Sequence, residues 1–350
     1  MACEGDEWRT SACCGLLSPP SKFLSLILNH GLSEHYVLET SHGKNTIIIA
    51  GANGSLAIPT VDHLLKTSPT LVLTVRDASD SDVNTTTLRG VVARYPQAKV
   101  SIRELDFARL SAVHDFARHV AAEISEGSLP RLSSIVWTAY HWNLVGPFQM
   151  TEDGHEKTIQ VTYLSHVALI LRLIGCFRPE GGRIVLFSSD PSWSISSSPE
   201  DDPAVDAFGH GLHRHANAKL ASVMFTHALN RRLQQDDQLK NITVVVMNPG
   251  HLSDSRALRV NTPLKLVMLS VVLRPFPDPT ARAVAQFSVD VAHLATNEAL
   301  PGVRGYLELL KPYDGSKDSQ DEKTRDVLWA KSAESVGVTA QDTVLGALSR

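Results

Sequence analysis

The run Thr46–Ala50 reads Thr-Ile-Ile-Ile-Ala and is followed at once by Gly51. A short apolar run without alternation marks a strand covered on both faces. Such a strand needs helices on either side of its sheet, which points to the α/β class. The same unit then recurs. Leu71–Val75, Val100–Leu105, Ser134–Thr138, Gly182–Phe187 and Thr243–Met247 read as further strands. Between them Pro59–Lys66, Thr86–Tyr95, Ser111–Ile124, Gly154–Cys176 and His215–Leu233 read as helices. In Ser111–Ile124 the apolar residues Val113, Phe116, Ala117, Val120, Ala121 and Ile124 recur at helical spacing. Strands alternating with helices pair in parallel and predict a doubly wound parallel sheet in one domain.

Several regions fall outside this rhythm. Residues 1–44 read as an N-terminal extension and 313–350 as a C-terminal tail around a 45–312 body. Ser192–Pro203, rich in Ser, Pro and acid, reads as a surface loop. Residues 252–279 follow the sixth strand and contain the apolar stretch Leu264–Leu273. That stretch reads as a substrate lid or as a membrane-touching helix. The lid is favoured, because Lys265 and Arg274 are its only nearby basic residues.

Charge and cysteine usage exclude several classes. The formal net charge of −4, with no long Lys/Arg run, argues against a nucleic-acid partner. The four cysteines, Cys3, Cys13, Cys14 and Cys176, have neither metal nor disulfide spacing, so a reducing compartment is expected. The N-terminus is acidic, and the apolar run Phe23–Leu28 is too short for a signal core. No run of about 18 uncharged apolar residues predicts an integral membrane segment. A cytoplasmic enzyme acting on a small molecule is the expectation, with a homo-oligomer left open.

The segment Ala50-Gly51-Ala52-Asn53-Gly54-Ser55-Leu56-Ala57 follows the first strand and opens a helix. Small residues there let the backbone approach a pyrophosphate, and a helix N-terminus stabilises the anion. A plain Gly-containing βα turn is the alternative. Arg76-Asp77 ends the second strand. An Arg at such a point can pair with a 2′-phosphate, whereas an acid prefers free ribose hydroxyls, so NADP is favoured over NAD. Asp106 follows the third strand and reads as a helix N-cap, while the likeness of Leu105-Asp106-Phe107 to the short-chain dehydrogenase/reductase pattern implies an adenine contact instead.

These segments resemble the short-chain dehydrogenase/reductase family, over about residues 45–312. Gly51 matches the first glycine of the family's Thr-Gly-x-x-x-Gly-x-Gly turn, while Ser55 and Ala57 replace the second and third. Asn53, Ser55 and Leu56 would line the cofactor turn. Trp137-Thr138-Ala139-Tyr140 stands where the family has Asn-Asn-Ala-Gly, keeping only Ala139 and placing Tyr140 where a Gly lets the cofactor lie close. Pro249-Gly250 matches the family's Pro-Gly beside the nicotinamide. The resemblance implies a Rossmann-type domain and a catalytic tetrad. Lys219-Leu220-Ala221 anchors it, with Lys219 in the role that holds the nicotinamide ribose. Ser189 matches the serine that orients the substrate oxygen, Thr162 replaces an Asn, and His215 replaces the Tyr four residues before the Lys. The segments Asn248–Ala257, Gly305–Leu310 and Leu328–Ser332 look like a fungal branch found beside natural-product pathways.

The resemblance implies an NADP-dependent oxidoreductase that interconverts a ketone and a secondary alcohol on a hydrophobic small molecule in secondary metabolism. His215 would then be the acid or base, since an imidazole can exchange a proton near neutral pH. The alternatives are a non-redox isomerase or cyclase and a non-catalytic paralogue. The trio His210, His213 and His215 also invites a metal reading, but no acid or Cys accompanies it, and no metal is expected.

Overall fold

The computed structural model describes residues 45–67, 70–189, 207–252, 256, 260–265, 267–268, 281–346 and 348. The expected N-terminal extension, the Ser192–Pro203 loop and most of the 252–279 lid lie outside these residues.

Six parallel strands form the frame: β1 (Thr46–Ala50), β2 (Thr70–Val75), β3 (Val100–Glu104), β4 (Leu132–Trp137), β5 (Gly182–Phe187) and β6 (Ile242–Asn248). Two short strands, β7 (His251–Leu252) and β8 (Ala281–Arg282), pair with each other. They bring together the two ends of the excursion that holds the expected lid. Strands β9 (Gly305–Glu308) and β10 (Lys311–Pro312) complete the main sheet, in the order β10-β9-β6-β5-β4-β1-β2-β3. All its pairings are parallel except β9 with β10. The 3-2-1-4-5-6 core of that order is the Rossmann-type doubly wound arrangement.

The apolar runs are explained by what covers them. Ile48 packs into one layer and Ile47 and Ile49 into the other. Likewise Val72 faces one side, and Leu71, Leu73 and Val75 the other. Each fully buried side chain of this kind contributes about 1.5–3 kcal/mol, so a charged residue in place of Ile47–Ile49 or Leu71–Leu73 would be costly on either face. Helices α1 (Ala57–Leu65), α2 (Val83–Val92) and α3 (Leu110–Ser125) follow the first three strands. Helix α2 starts three residues before the periodicity predicts, because Asp82 caps it by accepting from the Thr85 amide at 2.6 Å.

The expected long helix of residues 154–176 is composite. It runs as α4 (Lys157–Ile159), a π-helical turn over Gln160–Leu164, α5 (Ser165–Leu173) and a final 3-10 turn over Ile174–Cys176. Its composition would suit a membrane span, with a mean hydropathy of 1.5, but 72% of that window is buried within the protein. Helix α6 (Ala207–Gln234) begins well before His215, so that residue lies inside the helix and not at its start. Helix α7 (Val284–Ala295) packs against α1. Residues 313–350, expected as a tail, carry α8 (Lys317–Gln320) and α9 (Glu322–Ser335). Trp329, Val336, Val338, Leu345 and Leu348 from this region belong to the core, and the Trp329 ring stacks on Phe225 of α6 at 5.3 Å. The sequence pattern hides this because α9 has mixed polarity and buries one large ring instead of a stripe.

Candidate active site

The crevice lies where strand order reverses, between β1 and β4, at the carboxyl ends of the strands. Residues 51–56 turn the chain there from β1 into α1. Gly51 has a φ of 85°, and a Cβ on it would stand 2.8 Å from the Ala139 backbone, so only glycine fits. The Thr138 and Ala139 amides both donate to the Ala50 carbonyl at 2.9 Å. The Thr138 hydroxyl reaches the Ala50 and Gly51 carbonyls at 2.9 and 3.0 Å. The end of β4 is thus fastened directly to the turn.

Asn53 donates through Nδ2 to Thr85 Oγ1 at 3.1 Å and to Asp82 Oδ1 at 3.3 Å. Ser55 and Leu56 complete the turn, and α1 starts with no side-chain cap and no acid in its first turn. A tight turn and a helix start with no side-chain cap and no acid in its first turn fit an anionic pyrophosphate. Arg76 follows β2 on the exposed surface. Its neighbour Asp77 is committed to the Ser79 amide at 2.8 Å, and the Ser79 bonds hold its carboxyl below the usual range. The capping alternative for Asp106 needs correction. Arg109 stands at the N-cap of α3, the Leu110 amide donates to Asp153 at 2.8 Å, and Asp106 instead accepts from the Ala108 amide at 2.9 Å. Gly250, after Pro249, takes a φ of 71° and donates to Asn248 Oδ1 at 3.0 Å.

Helix α6 carries both His215 and Lys219. Buried Arg214 pairs with Glu156 at 3.6 Å and so ties α6 to the start of α4. Lys219 is also buried, and its ammonium donates to the Phe187 carbonyl at 2.9 Å at the end of β5. The Tyr140 ring centroid lies 5.4 Å from its Nζ. Burial pushes the Lys219 ammonium down to about 7. Ser188, Ser189 and Lys219 line one cavity together with Ala216, Tyr306 and Ser319.

His215 lies edge-on to Trp142 at 4.8 Å and to Tyr140 at 6.3 Å. Its Nδ1 is buried with no hydrogen-bond partner among the described residues. Burial first, and Lys219 second, lower its pKa to about 3. At neutral pH the ring is therefore uncharged. Thr162 sits in the π-helical turn, and its hydroxyl accepts from the His141 amide at 3.1 Å. π-Turns occur often at functional sites. Among the described residues no group of three His, Cys, Asp or Glu side chains could hold a metal.

The structure brings Ser189 and Lys219 to one cavity and sets His215 one helical turn from Lys219. It engages Thr162 with the His141 backbone. Three contributors escape sequence reasoning: Trp142, Tyr306 and Ser319. Trp142 packs beside Tyr140, whose own signal was the departure of residues 137–140 from the expected small-residue pattern. Tyr306 lies in a segment read only as a likeness to one branch of the family, and Ser319 in the expected tail; β9 and α8 bring them in.

Residues 256–345 match the family model described as the AcuH dehydrogenase domain. The chain is 27% identical to human retinol dehydrogenase 14, over 85% of this chain and 87% of that protein. It is 25% identical to the short-chain dehydrogenase iccH of Talaromyces variabilis, over 87% of this chain and 99% of the other. A short-chain dehydrogenase/reductase from Serratia marcescens shares the fold, with a TM-score of 0.56 at 17% identity over 76% of this chain and 96% of that one. With the sheet order and the glycine turn in place, the chain is similar over most of its length to short-chain dehydrogenases/reductases, which are oxidoreductases.

Proposed function

We propose that the protein is an NADP-dependent enzyme that interconverts a ketone and a secondary alcohol on a hydrophobic small molecule. The observation that carries this reading is the buried Lys219 ammonium in the same cavity as Ser189. Burying an ammonium is costly unless something uses it, and here the group that accepts its hydrogen bond is the neutral Phe187 carbonyl. A bound nicotinamide dinucleotide supplies or accepts the hydride. The turn at 51–56 would hold its pyrophosphate, Arg76 the 2′-phosphate, and Lys219 the ribose beside the nicotinamide, with Asp106, Ala139, Pro249 and Gly250 along its length.

Ser189 would donate a hydrogen bond to the substrate oxygen. Reduction also needs a proton for that oxygen. His215 at about 3 carries almost no ionised population at neutral pH, whereas Lys219 at about 7 is near half-protonated. A general acid works best when its pKa lies near the working pH. Lys219 is therefore the better proton source, and neutral His215 orients groups beside it. The apolar rings of Tyr140 and Trp142 would favour a hydrophobic substrate, and the relatives named as retinol dehydrogenases act by name on an apolar alcohol. The short-chain dehydrogenases of Talaromyces variabilis and Annulohypoxylon moriforme among the relatives fit a secondary-metabolite setting, and the enzyme would work in the cytosol.

A second reading, the fold without redox chemistry, is favoured by one observation, the neutral and buried His215. The test is direct. NADPH and NADH are titrated by fluorescence, and NADPH consumption is then followed with a panel of apolar ketones. Tighter NADPH binding and turnover of at least one ketone are expected. Binding of neither nucleotide overturns the reading.

A further inference from the structure

Residue 256 belongs to the stretch between β7 and β8, yet its side chain reaches the cofactor turn. Arg256 Nη2 donates to the Asn53 carbonyl at 2.7 Å, inside the turn after β1. Its Nη1 meets Asn84 Oδ1, in the first turn of α2. One guanidinium thus bridges the loop that opens α1 and the loop that opens α2.

The electrostatics of this placement are lopsided. Arg256 is partly buried, and burial lowers its pKa. A guanidinium leaving water is normally matched by a carboxylate. Among the described residues no carboxylate pairs with it, and its two acceptors are a peptide carbonyl and an amide oxygen. Asp82 is near enough to act on its charge, but that carboxylate already accepts from the Thr85 amide and from Asn53 Nδ2. The start of α1 adds a second positive potential at the same spot, with no acid in its first turn. Two positive sources meet at a turn whose nearby carboxylate, Asp82, is already engaged by the Thr85 amide and Asn53. A phosphate group balances both, and a planar fork of five N–H donors keeps donors to spare after two bonds are made.

We propose that Arg256 is a phosphate clamp that holds the dinucleotide once it lies on the 51–56 turn. This rests on the cofactor reading above. The contact to Asn53, inside that turn, favours the pyrophosphate as the group held. Arg256 differs from Arg76 in its place in the chain, because it stands between β7 and β8 and not at the end of β2.

The experiment is fluorescence titration of NADPH and NADH with the wild-type chain, Arg256→Met and Arg256→Lys. It needs no substrate and no turnover. Deleting a charged hydrogen bond weakens binding about tenfold to a hundredfold. Arg256→Met is expected to weaken both nucleotides by similar factors, with Arg256→Lys recovering part of the loss. A loss confined to NADPH moves the clamp to the 2′-phosphate and still supports it. Melting temperatures of the free proteins separate binding from folding. A variant that melts with the wild type and binds both nucleotides as the wild type does overturns the clamp alone. A wild-type chain that binds neither nucleotide overturns the cofactor reading and the clamp with it.

Discussion

The two ends of the cleft are built from different materials. Around Gly51 the contacts centre on the backbone: the Ala50 carbonyl accepts from the Thr138 and Ala139 amides, and the Thr138 hydroxyl reaches the Ala50 and Gly51 carbonyls. Around Lys219, whose ammonium donates to the Phe187 carbonyl, the walls are side chains, with Tyr140, Trp142 and His215 packed ring to ring. A backbone site survives substitution as long as the chain can follow the same path. Ser55 and Ala57 can therefore stand where glycines are expected while α1 still starts with spare amides. A side-chain site changes its chemistry with each replacement. The His at position 215, where the resemblance implied a Tyr, offers no phenol, and burial lowers its pKa so that the imidazole is uncharged at neutral pH.

The sharpest way to break this contrast is Lys219→Met, which keeps the stem and deletes the charge. Turnover is expected to fall by about 10²–10⁴, the range of a lost proton donor. Stability should move the other way. Below pH 7 the folded and unfolded chains both carry the proton, and the folded chain bears the full cost of the buried ammonium. Between about 7 and 10.5 the folded chain sheds the proton first, so wild-type stability rises across that window. Lys219→Met should therefore melt higher at pH 6, by on the order of a few kcal/mol, with the gain shrinking toward pH 10. Equal melting curves at pH 6 would remove the claim that this end bears an electrostatic cost for function.

The backbone end is tested at Gly51. Gly51→Ala forces a Cβ to 2.8 Å from Ala139 at a φ of 85°. A cost of about 1–3 kcal/mol is expected for the strained conformation, seen as a lower urea midpoint at unchanged slope. Gly54→Ala is the control, since its Cβ would approach Gly51 O at 3.3 Å without a positive φ. A similar loss at both positions would mean that the turn is merely crowded.

What could be read in advance follows the same division. The strands were legible because burial on both faces forces apolar runs such as Ile47–Ala50 and Ile184–Phe187. Asp82 as a cap, and with it the start of α2, was missed because its partner is a backbone amide that no periodicity marks. In the site, Ser189 and Lys219 were legible through local motifs. The neutral state of His215 was not, because it depends on burial under Trp142 and on the Lys219 charge, both products of tertiary packing. The core role of Trp329 was invisible for the same reason, since one ring in a polar helix gives no pattern.

His215 itself offers a smaller effect. Its value of about 3 lies below the unfolded value near 6.5, so its contribution is complete above pH 6.5 and is lost as pH falls toward 3. His215→Phe keeps an aromatic ring and cannot ionise, so the acid limb of the stability curve should flatten between those values. Turnover at pH 7 should change by less than about tenfold, because a neutral ring is not the proton source. A collapse of turnover in a well-folded His215→Phe would return the acid role to His215.

The smallest effect is expected at Arg76, and its size is the finest gauge of the contrast. Arg76 is exposed at the end of β2, so water competes for every bond it makes. Exposed ion pairs contribute about 0.2–1 kcal/mol, and salt screens them. The partly buried Arg256 keeps more of its charge interactions. Arg76→Ala should therefore weaken NADPH by less than about tenfold and leave NADH unchanged, with the difference vanishing as salt rises toward 1 M. The measurement is the ratio of the two dissociation constants at low and high salt. If Arg76→Ala instead weakens both nucleotides alike, the residue acts through the shape of the β2 turn. Asp77 and its bond to the Ser79 amide are the elements through which such a change would pass.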